Sequence, residues 1–283
     1  MMDGILLINK DKDWTSHDVC NRIKHIFNTS KVGHSGTLDP FATGLLIVAI
    51  NKATKTLPYA DFSYKTYIAK LKLGSQTVSG DLSSEVILKK DVPILTEDKI
   101  NEVLHTFLGE SEQKVPMYSA VHVNGVKLYK YAQQGIEVDR PTRKIDIQYI
   151  KLLGFSSDVI TFQCLVSSGT YIRTLGEDIA KKLNTVGHLI SLNRIAIGKE
   201  ENITLDKAIK LDKVNENKVL PVTDFIDLPK LDIDDKIYQK AQHGAPIILN
   251  NKEEKILLVY NHIALAIYKK VEANIYHCER GLW

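Results

Sequence analysis

Gly33-His34-Ser35-Gly36-Thr37-Leu38-Asp39-Pro40-Phe41-Ala42-Thr43-Gly44 runs straight into Leu45-Leu46-Ile47-Val48-Ala49-Ile50, and the two halves differ in kind. The first is broken by three glycines and a proline, the composition of a shaped loop. The second is an unbroken apolar run, most simply a buried strand. A loop feeding a core strand holds its side chains at a cleft against a rigid frame. Asp39 is the only acid in the stretch, and Pro40 biases it towards an extended backbone. An isolated Asp-Pro is an ordinary turn, so the pattern nominates Asp39 without assigning it. His34 lies five residues away with neither a second carboxylate nor an H-x-x-x-H spacing, which leaves no metal-ligand cluster. A P-loop and a dinucleotide fingerprint are also missing from the sequence, so phosphoryl and hydride transfer have no support.

Outward from this stretch, residues 4–9 read as a short strand. Thr15 or Ser16 caps a helix with Val19, Ile23, Ile26 and Phe27 on one face. Downstream, residues 66–73 alternate as a strand ending at Gly74, and the polar residues 75–92 read as a loop. Thr96 caps a helix carrying Ile100, Val103, Leu104 and Phe107. Residues 119–123 look strand-like before the Asn124-Gly125 turn. Strand patterns recur at 144–155, 158–167 and 189–197, with a helix bearing Ile172, Leu175, Ile179 and Leu183 between the last two. Asp227-Leu228-Pro229 reads as a linker. A short helix (234–243) and two strands (256–260 and 263–268) follow it. The expectation is an α+β fold with a mainly antiparallel sheet over residues 1–228 and a small β-rich unit over 229–283.

The composition is that of an ordinary globular protein: 283 residues, 44% hydrophobic and 25% charged. Three scattered cysteines, Cys20, Cys164 and Cys278, argue against a disulfide framework or a zinc ribbon. The longest apolar run is far too short to cross a bilayer. The start carries no basic leader, so no signal peptide and a cytoplasmic location are expected. The net charge of +3 identifies no partner by itself. Its distribution says more: residues 1–60 carry 7 basic and 5 acidic side chains, and residues 140–200 carry 9 and 5. Brought together, the two segments would make a basic face suited to a phosphate backbone.

The loop from Gly33 to Leu46 resembles the signature of the TruB-type tRNA pseudouridine synthases, and the resemblance continues along the chain. Lys65-Thr66-Tyr67 is similar to the family's Lys-x-Tyr strand. Pro116 to Ala120, Gly125 to Tyr129 and Ala132 to Ile136 are similar to its middle segment. Ser168 to Leu175 and His188 to Arg194 are similar to two later signatures. Together the blocks cover roughly residues 3–228. Two loops depart from the pattern. Where the family usually has Lys-Pro-x-Gly, this chain has Lys10-Asp11-Lys12-Asp13. In the polar loop Val78 and Ser84 replace an aspartate and a glycine, while Asp81 is kept.

The resemblance implies isomerisation of uridine 55 in the T arm of tRNA to pseudouridine, with no cofactor and no metal. It implies Asp39 as the essential carboxylate, Arg173 as its partner, and Asp81 in the same charge network. Tyr67 would stack on the target base, His34 would contact the flipped nucleotide, and Tyr171 and Leu192 would line the pocket. Lys10, Lys55, Arg140, Arg143 and Arg194 are candidate phosphate contacts. The C-terminal unit falls where the family carries a PUA-type RNA-binding barrel, here reduced. The expected partner is tRNA, with no membrane and no obligatory protein partner, and the protein is expected to be a monomer. The alternatives are an RNA-binding tRNA folding chaperone and a guide-RNA-dependent, dyskerin-like synthase.

Overall fold

The computed structural model describes residues 2–283. In chain order the elements are β1 (Gly4–Lys10), α1 (Ser16–Ile26), β2 (Val32–His34), β3 (Thr43–Ile50), a 3₁₀ helix (Asn51–Tyr59), β4 (Tyr64–Leu73), β5 (Ser75–Thr77), β6 (Val86–Lys89), α2 (Glu97–His105), β7 (Gly109–Lys114), β8 (His122–Val123), β9 (Val126–Lys127), α3 (Leu128–Gln133), β10 (Thr142–Phe155), β11 (Val159–Ser167), α4 (Ile172–Lys182), β12 (Gly187–Ile197) and β13 (Ile203–Thr204). The C-terminal unit adds β14 (Lys230–Asp232), α5 (Asp235–Ala241), β15 (Ile247–Ile248), β16 (Lys255–Tyr260), β17 (Ile263–Glu272) and β18 (Ile275–Gly281). No helix among them is long and apolar enough to cross a membrane.

The main sheet runs β1-β3-β12-β4-β11-β10-β7, with β2 added to β3 and β13 to β12. Every pairing is antiparallel except the short contact of β12 with β3. The uninterrupted apolar texture of β3 has a physical cause. Leu46, Val48 and Ile50 face the large core that also holds residues of α1, α2 and α4, while Leu45, Ile47 and Ala49 face a second core with Ile5, Leu7 and Ala53. A strand buried on both faces shows no alternation.

One edge of β3 is divided. His34 and Val32 on β2 pair with Val48 and Ile50, whereas Asn193 and Arg194 on β12 pair with Thr43 and Gly44. The loop carrying Asp39 fills the fork between the two. Gly44 permits the close approach: its φ is +104°, and a Cβ there would lie 2.3 Å from Arg194 O.

Two details depart from the sequence expectations. Residues 75–92 contain the β5–β6 hairpin, whose Val86, Ile87 and Leu88 are all exposed, so no alternation marks it. Only His122 and Val123 of the 119–123 segment are in a strand; Asn124 and Gly125 both have positive φ, as a tight hairpin turn requires. The C-terminal sheet, β14-β16-β17-β18-β15, has three more strands than the two that were expected. It packs Ile226, Leu257 and Leu282 against Tyr59 at the end of the 3₁₀ helix.

Candidate active site

A cavity of about 750 Å³ opens between the Asp39 loop, the ends of β4 and β12, the β11–α4 turn, the 79–83 loop and the 118–133 segment. That is the size of a small-molecule pocket. Asp39, Tyr67, Asp81, Tyr171, Arg173, Leu192 and Arg194 all line it.

Arg173 lies on the first turn of α4 and is 4% exposed. Its guanidinium is forked on Asp39, with Nε donating to Oδ2 (3.1 Å) and Nη2 to Oδ1 (3.2 Å). Nη1 donates to Ser79 O and Nη2 to Tyr118 O, each at 2.8 Å. The Asp81 carboxylate stands 3.7 Å from Nη1. The rigid planar fork thus has an acceptor in each direction it can donate. A third of the Asp39 side chain remains accessible from the cavity. Burial pushes its carboxyl above the ordinary range; Arg173 opposes this and Asp81 adds to it.

Asp81 is fixed by its own loop: Ser79 Oγ (2.8 Å) and Ser83 N–H (2.9 Å) donate to Oδ1. Ser84, one of the departures from the family pattern, accepts from Ser79 N–H at 2.8 Å and so braces the loop. The other departure is equally legible. Asp13, where the family has glycine, takes φ +68°, and its N–H donates to Pro40 O (2.8 Å). Aspartate is among the few residues that tolerate this conformation.

Tyr67 is 7% exposed and Leu192 5%. Burial raises the Tyr67 hydroxyl above its usual value, against the pull of nearby Arg194. Tyr171 precedes α4, and its backbone is clamped on both sides by the buried Gln113 amide of β7 (2.8 and 3.0 Å). His34 sits on β2 outside the cavity wall. Its Nδ1 accepts from Gly36 N–H (3.2 Å), and burial lowers its pKa.

Two of the five proposed phosphate contacts, Lys10 and Arg194, are buried. Lys10 Nζ is turned inward onto Trp14 O (2.6 Å), Asp11 O (3.0 Å) and Pro40 O (3.3 Å), bracing the Asp39 loop from below. Arg194 is fully buried and donates to Leu45 O (2.7 Å) and Gly36 O (3.2 Å) across the fork. Lys10 therefore faces no solvent-side phosphate, whereas Arg194 also lines the cavity and its Nη1 is buried without a hydrogen-bond partner among the described residues. A third, Lys55, is already engaged with Gly281 O and Trp283 O, tying the C-terminal unit to the 3₁₀ helix. Arg140 donates to Val115 O at 3.3 Å beside a smaller neighbouring cavity. Arg143 is exposed near the main mouth. Sequence reading left out Lys65, Gln113, Tyr118, Tyr129 and Gln133. Lys65 stands in the matched Lys-x-Tyr strand, and Tyr118, Tyr129 and Gln133 in the matched middle segment, which were usable signals; Gln113 lies outside every matched block and is an ordinary residue until the fold places it.

In architecture the chain is of the pseudouridine synthase class. The crystal structure of a Cbf5-Nop10-Gar1 complex contains a chain with TM-score 0.72 to this one at 26% identity, covering 99% of this chain and 85% of that one. The family model for TruB family pseudouridylate synthase (N terminal domain) matches residues 24–172, and the chain belongs to that family. The tRNA pseudouridine synthase B of Hydrogenovibrio crunogenus is 38% identical over 265 residues, covering 92% of this chain and 86% of the relative. The protein of the same name from Geobacillus thermodenitrificans is 36% identical over 287 residues, covering 95% of each.

Proposed function

We propose that the chain is a tRNA pseudouridine synthase that converts uridine 55 of the T arm to pseudouridine, with residues 1–228 as the catalytic unit and 229–283 as a reduced PUA-like RNA-binding module. The observation that carries this reading is the Asp39 carboxylate, forked by Arg173 at the wall of a nucleoside-sized cavity that also holds Tyr67. The target base leaves its stack at a cost of about a few kcal/mol and enters against Tyr67 and Leu192. Asp39 then attacks C1′ or assists proton removal from the sugar. The N1–C1′ bond breaks, the base turns, and C5 bonds to C1′, displacing Asp39 on the first route and followed by return of the sugar proton on the second. The C5 proton is released and N1 gains one, so the reaction is a redox-neutral isomerisation. Arg173 keeps the carboxylate oriented, and Asp81 holds Arg173. His34 is assigned to the surroundings the nucleotide vacates. The enzyme acts on tRNA alone, as a monomer, in the cytoplasm.

The test is tritium release from C5-labelled uridine in an unmodified tRNA transcript, comparing wild type with Asp39→Asn. Release by wild type alone, mapped to the T arm, is the expected result. The likeness to Cbf5 over nearly the whole chain favours one second reading, a guide-RNA-dependent synthase. Turnover of free tRNA without any guide would exclude it. A folded wild type that binds tRNA without releasing tritium would favour the guided reading or a folding chaperone.

A further inference from the structure

Lys65 and Tyr67 lie two positions apart on β4, so both side chains leave the strand on one face, about 7 Å apart along it. Both line the cavity. Tyr67 is buried, whereas Lys65 is half-buried at the end where β4 meets the exposed Ser63 and Ser168. Its stem passes Gly36, where a Cβ would lie 3.5 Å from Cε. Its ammonium donates to Ser168 Oγ (2.5 Å) and Phe62 O (3.4 Å), and Ser168 N–H donates to Ser63 O (2.7 Å). Across the same turn, Arg143 Nη1 lies 3.3 Å from where a Cβ on Gly169 would sit. Among the described residues neither cation forms an ion pair. Lys65 therefore stands in the cavity wall with only neutral oxygens around its charge. Burial, helped by repulsion from Arg194, lowers its pKa to about 8. A partly desolvated cation without an anion is unfavourable until one arrives.

The covalent order of a nucleotide says where that anion would be. With the base against Tyr67 and C1′ facing Asp39, the ribose and its phosphates point back towards the mouth. We propose that Lys65, backed by Ser168 and Arg143, receives one of the two phosphodiesters flanking the extruded nucleotide and so sets the register of C1′ against Asp39. The proposal rests on the pseudouridine synthase reading. Gly36 beside Lys65 and Gly169 beside Arg143 keep the approach open where any side chain would narrow it.

The experiment uses Lys65→Gln, Lys65→Arg and Arg143→Gln with a T-arm stem-loop RNA. The RNA is made either unmodified or with a neutral methylphosphonate at one of the two phosphates flanking the target uridine. Binding is measured across a salt series, and single-turnover tritium release in parallel. Lys65→Gln should weaken binding roughly 10- to 100-fold and reduce the log-log salt slope by about one. Lys65→Arg should restore most of the binding, and Arg143→Gln should give a smaller loss of the same kind. One methylphosphonate should cost wild type as much as Lys65→Gln does and add nothing to that variant, the signature of a shared contact. Full additivity at both positions, or an unchanged salt slope, overturns the proposal. So does a variant with normal binding and salt slope but a slow chemical step and an altered pH profile, which would make Lys65 a proton-transfer group. Wild-type release from unmodified RNA is read in the same assay, so failure of Lys65 and failure of the isomerase reading give different results.

Discussion

Arg173→Met withdraws the partner of both Asp39 oxygens while keeping an unbranched apolar stem. The wild-type guanidinium makes four hydrogen bonds, two to Asp39 and one each to Ser79 O and Tyr118 O, with Asp81 close by. Its loss strands two carboxylates and two carbonyls in a site where the arginine was 4% exposed. Removing one member of such a pair costs about 3–5 kcal/mol. Expressed wholly in the transition state, that is about 150- to 5,000-fold in rate. Any share expressed in folding lowers the melting temperature instead, so both are measured. The pH dependence has a definite sign. Burial already raises the Asp39 carboxyl, and Arg173 is the largest influence holding it down. Without it the ionised form is lost at still higher pH, and the acid limb of the single-turnover rate moves up. Arg173→Lys keeps the charge but not the fork, so its rate should be intermediate and its acid limb near that of wild type. The assay is single-turnover tritium release between about pH 5 and 8, with tRNA binding and thermal melting alongside. A folded, tRNA-binding Arg173→Met enzyme within tenfold of wild type, with its acid limb unmoved, would refute the assigned role.

Asp39→Asn should retain tRNA binding within a few-fold and lose turnover; equal loss of both would remove Asp39 from the chemistry. Gly44→Ala should lower the melting temperature by several degrees, because its Cβ would meet Arg194 O and Asn193 Oδ1 at 2.3 Å with φ at +104°. An unchanged melt would show that the β3–β12 contact yields more easily than its geometry implies. Lys10 has a pKa of about 8 in the fold against 10.5 ordinarily. The unfolded chain therefore binds the extra proton between those values, and stability should rise with pH across that window by at most about 3 kcal/mol. Lys10→Met should shrink this dependence in urea titrations between pH 7 and 10, leaving the share that Lys65 contributes over the same window. An identical slope in wild type and variant would place the cause elsewhere.

Much of the architecture was legible because its signals are local. The helix cap at Thr15, the helical stripe of α4 and the alternation of β4 each arise within a few residues. The β5–β6 hairpin escaped because β6 is exposed along its whole length and β5 is only three residues long. β18 was missed although Tyr276 and Cys278 alternate with polar residues, since the run is short and charged at its end.

The functional group of residues divides in the same way. Asp39, Arg173, Asp81 and Tyr67 were identified from their motifs, and their meeting in one cavity follows from the fork in the sheet. Which cations are free was decided only by tertiary structure. Lys10, Lys55, Arg140, Arg143 and Arg194 look alike as letters, yet Lys10 and Arg194 are buried on backbone carbonyls, Lys55 is spent on residues more than 220 positions away, and Arg143 stands open. Lys65, part of a strand motif in the sequence, stands in the cavity wall without an ion pair among the described residues. The kind of chemistry was legible through the family resemblance, because the motifs that carry it are side-chain types at short spacings. The fold alone determined the electrostatics, because desolvation and pairing depend on neighbours that the chain brings together from far apart.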